Sequence, residues 1–124
     1  MDKIDLMNRI TKLVGAACLV FFAQSSIACD YPTRVDIPNG DSASKDEMIA
    51  GQRDVKAFVA SMETYLDCLL EEEKTARATL ELSPEDEQQR EDMVNKKYNA
   101  AVEEMEMVAA RFNEQVQAYK ARGE

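Results

Sequence analysis

The chain has 124 residues, with 24 acidic against 15 basic side chains, three cysteines, and neither histidine nor tryptophan. That length suits one domain, and a net charge of -9 repels a phosphate backbone, which excludes nucleic acid as a partner and a purely electrostatic hold on an anionic membrane. Without histidine there is no Ser/His/Asp or Cys/His nucleophile arrangement, and the commonest general base and metal ligand is missing.

The first 28 residues read as a secretory signal peptide. Lys3, Arg9 and Lys12 make a positive beginning, residues 13–23 form an apolar run, and Gln24 to Ala28 turn polar and small. The apolar run falls short of the ~20 residues that a membrane-spanning helix needs. Ser26-Ile27-Ala28 suits a small-residue cleavage site, which would remove Cys18 and make Cys29 the first mature residue. Cleavage takes away three bases and two acids, leaving 12 bases against 22 acids and a net charge of -10.

Two fates are open to Cys29. A lipoprotein signal also ends with a small residue before a cysteine that becomes lipidated, but such sites usually carry Leu three residues earlier, where this chain has Ser26. The other fate is a disulfide with Cys68, the expected outcome for two lone thiols in an oxidising compartment. The two exclude each other, and lipidation would strand Cys68 as a free thiol.

Residues 29–43 form an arm with turn chemistry at Pro32, Pro38 and Asn39-Gly40. Tyr31, Val35 and Ile37 make it too apolar for a mere tail, so it is expected to lie extended on the helices. Residues 36–47 fail as an EF-hand calcium loop, because Pro38, Gly40 and Asp41 stand where two oxygen ligands and a glycine are needed.

A first helix is expected over residues 44–81. Ser44-Lys45-Asp46-Glu47 is a capping box. Met48, Val55, Val59, Met62, Leu66, Leu69, Ala76 and Leu80 then step by threes and fours, widened by Ile49, Phe58, Tyr65 and Leu70. Gln52 and Glu73 interrupt the stripe, and Glu73 can reach Arg77 one turn on. Gly51 weakens the first turns slightly.

Ser83-Pro84 followed by Glu85, Asp86 and Glu87 opens a second helix, expected over residues 84–122. Its stripe is Val94, Tyr98, Ala101, Met105, Val108, Phe112, Val116 and Tyr119. Lys120 and Arg122 suit its negative end, and Gly123 follows as a stop. Asp86/Arg90 and Asp92/Lys96 are spaced as supporting ion pairs. The almost wholly polar start of this helix predicts a wet, loosely packed tip. The segment Tyr98-Asn99-x-x-Val102 recurs as Phe112-Asn113-x-x-Val116, which sets Asn99 and Asn113 on one face. Tyr98, Asn99, Phe112, Asn113 and Tyr119 are therefore the candidate face for a partner helix.

The expected fold is all-α: a long antiparallel two-helix hairpin with an extended N-terminal arm, and dimerisation to a four-helix bundle would cover its remaining apolar surface. Cys68 lies about 36 Å along the first helix at ~1.5 Å per residue. The arm can stretch to about 50 Å at ~3.3 Å per residue, so it can run back along that helix, place Tyr31, Val35 or Ile37 over Phe58 and Tyr65, and meet Cys68.

No catalytic constellation, cofactor site or metal site is expected. The carboxylates fall on exposed helix faces, the glycines are scattered, and Met62, Met93, Met105 and Met107 at helical spacing read as core filler and not as copper ligands. The functional expectation is an exported, periplasmic or secreted hairpin of the Gram-negative type that works by protein association or self-association. A lipoprotein anchored through Cys29, the only route to a membrane, is the alternative. A small periplasmic chaperone comes third, because the stripe is narrow and the surface too acidic for generic capture.

Overall fold

Two serines start the two helices in this computed structural model, which describes residues 28–123. The Ser44 hydroxyl accepts from the Glu47 N–H at 3.1 Å, and the Ser44 N–H donates to Glu47 Oε2 at 2.6 Å, which closes the capping box. Helix α1 then runs over Lys45–Thr79. It ends two residues before the sequence pattern suggested, because Leu80 is extended and caps the helix with its N–H on the Ala76 carbonyl. Ser83 accepts from the Asp86 N–H at 3.2 Å, Pro84 takes the first turn, and α2 runs over Pro84–Ala121. Gly123, at φ 78°, supplies the left-handed stop that an L-residue adopts with difficulty.

The two helices pack antiparallel as a hairpin, and no strand occurs among the described residues. Gly51 stands level with Phe112, and Glu73 with Arg90. The core follows α1: Val55, Phe58, Met62, Tyr65, Leu66 and Leu69 are buried, with Ala101 and Val108 opposite on α2. Met62 is fully buried, at the middle of α1. Ala101, facing it, is small enough to let the helices approach closely.

The arm forms the third layer. It runs back along α1 and places Cys29, Val35 and Ile37 on the core. From Cys29 to Pro38 it covers the stretch of α1 from Cys68 back to Gly51, ~26 Å at ~1.5 Å per residue, which calls for nearly extended backbone. This covering explains why Phe58 and Tyr65, flank residues in a plain two-helix stripe, are only 5% and 9% exposed. Leu70 and Ile49, on the other flank, stay about half exposed. The leader read from the sequence lies, apart from Ala28, outside the described residues.

Candidate functional site

The arm is fastened at three points. The first is covalent: Cys29 and Cys68 form a disulfide with their Cα atoms 5.7 Å apart, closing a loop of sequence separation 39. Glu72 Oε2 lies 3.3 Å from the Cys29 sulfur. A disulfide sulfur carries no hydrogen, so this is a contact and not a hydrogen bond. A Cys29 sulfur bonded in this way has no valence left for a lipid thioether.

The second fastening is aromatic. Tyr31 sits edge-on to Tyr65, with ring centroids 5.0 Å apart and planes at 75°. Burial against the helix raises the Tyr31 hydroxyl above its usual pKa, and the Glu104 carboxylate and Tyr65 add to this while Arg34 opposes it. Arg34 meets Glu104 at 3.3 Å, but Arg34 is largely exposed and such a pair contributes little.

The third fastening is the turn that leads into α1. The Asn39 carbonyl accepts from the N–H groups of Ser42 and Ala43, and Asn39 Oδ1 accepts from the Asp41 N–H. Gly40 is buried here, and its N–H donates to Gln115 Oε1 at 2.8 Å. A Cβ on Gly40 would collide with the Gln115 backbone carbonyl, so only glycine allows the turn to lie this close to α2. Arg122 Nη1 then donates to the carbonyls of Gly40 at 3.0 Å and Ala43 at 2.7 Å, while its guanidinium stacks 5.3 Å from the Tyr119 ring centre. Pro38 packs on Gly51, whose missing side chain makes the room.

Sequence reasoning did not single out Gln115 or Arg122 as arm contacts. Their signal is the seven-residue row Ala101, Val108, Gln115, Arg122, which starts apolar in the core and ends polar where the arm turns.

At the other end of the hairpin, Glu73 ties the helices together. It accepts from Arg77 at 3.1 Å along α1 and from Arg90 at 3.0 Å across to α2. Arg90 thus crosses to α1, while Asp86 accepts from the Ser83 hydroxyl at 2.8 Å. Burial pushes the Glu73 carboxyl up, but the hydrogen bonds and charges of Arg77 and Arg90 outweigh it and hold the group below the ordinary carboxylate range. Arg90 Nε is buried without a hydrogen-bond partner, so the network is incompletely satisfied. The recess beside it, lined by Leu69, Glu73 and Met93 among others, is about 150 Å³. A small-molecule site usually needs ~300 Å³ or more. Among the described residues, no three His, Cys, Asp or Glu side chains are placed to hold a metal ion.

The candidate partner face divides in two. Tyr98, Asn99 and Asn113 are exposed on α2. Phe112 and Tyr119 are half-buried: Phe112 packs on the core and beside Gly51, and Tyr119 lies under Arg122. Ile49, Gln52 and Val116 border Phe112 and Tyr119 in an open, mainly apolar groove. Among the described residues, no helix is long and apolar enough to cross a membrane. Comparison with known proteins returned no match: no family profile fits the chain, and no curated protein or solved structure is significantly similar to it.

Proposed function

We propose that this is an exported helical hairpin, strapped by its own N-terminus, that works by protein–protein association in an oxidising compartment such as the periplasm. The observation that carries this reading is the disulfide from Cys29, the first residue after the small-residue junction, to Cys68 in α1. Such a bond persists outside the reducing cytosol, and it stabilises a chain whose core is too thin to stand easily alone. An uncovered apolar flank then remains for a partner, and Ile49, Leu70 and Tyr98 project from it. The protein acts as a structural or interaction module and catalyses no reaction in this reading.

Cell fractionation with intact mass spectrometry tests the proposal. The expected species begins at Cys29, is two hydrogens lighter than the reduced chain, and appears in the periplasm or medium. A chain that keeps residues 1–28, or that carries two free thiols, contradicts the reading. Acyl chains on Cys29 would contradict the strap and replace it with a lipid anchor.

A further inference from the structure

The hairpin is covered on one side only. Helix α1 buries eight of its residues, whereas α2 buries Ala101 and Val108 alone. The arm closes one groove between the helices and leaves the other open. On α1 that open side carries exposed Ile49 and Leu70 and half-buried Val59. Leu70 stands 18 residues from Gln52, which is about five full turns and therefore the same side. Tyr98 and Val116 are related in the same way on α2, with Val102 and Met105 between them. Ile49, Leu70 and Tyr98 are 52%, 49% and 36% exposed.

We propose that this face pairs with the same face of a second copy, the two tips pointing in opposite directions, to form an antiparallel four-helix bundle. The inference rests on reading the protein as an association module, and it names that module's partner and orientation.

Charge sets the orientation. Between Glu71 and Met93, around the tip, the chain has nine acids and three bases. At the open end, residues 45–56 and 111–122 have six bases and four acids, and the arm's Asp36 and Asp41 only bring that end to balance. A parallel pair would stack two acidic tips. An antiparallel pair sets each acidic tip against the other copy's open end, which carries no such excess of acid.

One register matches most of the face, leaving Glu91 opposite Val116. Place the two-fold axis at α1 between Val59 and Ala60. The levels fixed by Gly51 with Phe112 and Glu73 with Arg90 then put the axis at α2 between Glu103 and Glu104. Each α1 now meets its copy: Lys56 faces Glu63 of the second copy, and exposed Ile49 faces exposed Leu70. Each α2 likewise meets its copy, with Val102 on Met105, Tyr98 on Ala109, and Glu87 near Lys120. One like-charge pair, Lys45 with Lys74, falls in the outer turns where solvent screens it. A strip ~50 Å long and about 20 Å wide offers on the order of 1,000 Å² per copy, enough for a standard interface of ~800 Å² per partner.

Sedimentation equilibrium of the oxidised mature protein, with charge reversals, tests this. Lys56 and Glu63 are seven residues apart on one helix, ~10 Å along its axis, and do not touch within a copy. Two-fold symmetry doubles each contact, so Lys56→Glu and Glu63→Lys are each expected to raise the dimer Kd about tenfold. The double variant is expected to return to within about threefold of the parent Kd, since the pairing is restored with its charges exchanged. Leu70→Ser should weaken the dimer too, while Met107→Ser, off this face, should not. Circular dichroism checks that each variant keeps its helices. A strict monomer up to about 100 µM, a dimer blind to the reversals, or a double variant weaker than both singles overturns the proposal. A monomer leaves the exported, strapped hairpin standing, because that reading falls only on fractionation and mass.

Discussion

Gly40 sets the distance between the arm and α2. Its N–H reaches Gln115 Oε1 directly, and any side chain there meets the Gln115 carbonyl. Gly40→Ala must therefore lift the turn, and overpacking of this kind costs ~1–3 kcal/mol. Arg122 locks the same turn from the far end of the chain. Arg122→Ala would leave the Gly40 and Ala43 carbonyls without this charged donor, a loss of about 1.5–3 kcal/mol measurable by denaturant unfolding. Arg122→Lys should recover only part of it, because an ammonium lacks the planar fork and stacks less well on Tyr119. The local partnerships are legible in the sequence: both serine caps, the Glu73–Arg77 pair and the stop at Gly123 lie within four residues of their partners. The roles of Gln115 and Arg122 are not, because their partners are 75 to 82 residues away and only folding brings them together.

At the scale of elements, the period of the apolar residues is enough to find both helices and their antiparallel pairing. It does not say which flank of α1 is covered. Phe58, Tyr65, Ile49 and Leu70 all read as flank residues, and the arm's path buries the first two and leaves the last two exposed. That path is set by a covalent bond and a glycine contact, neither of which has a period. At the tip, Glu73 and its two arginines join the helices. Glu73 has its pKa lowered in the folded protein, so its contribution is full above the unfolded value and is lost as pH falls through the lower, folded one. The protection of the tip amides, taken relative to the intrinsic exchange rate at each pH, is therefore expected to fall below about pH 4.3, the ordinary glutamate value. Glu73→Gln should exchange faster at neutral pH and lose most of that acid dependence. An unchanged acid profile in Glu73→Gln would assign the tip's stability to other groups.

For the whole molecule, the question is how fewer than a hundred described residues in two helices hold together with one fully buried large side chain. Two helices alone bury one stripe each, and domains of this size are marginal without a staple or a partner. The arm supplies a third layer, and the disulfide makes that layer part of the hairpin in the unfolded chain as well. With a sequence separation of 39, closing the loop is expected to stabilise the fold by ~4 kcal/mol through lost unfolded-chain entropy. The most direct measurement is denaturant unfolding of the mature chain, oxidised and then reduced, with Cys29→Ser/Cys68→Ser as a reductant-free equivalent. The strapped hairpin predicts a loss of about 4 kcal/mol on reduction, with Tyr31 and Tyr65 becoming more solvent-accessible first. Equal unfolding midpoints for the oxidised and reduced protein would contradict it.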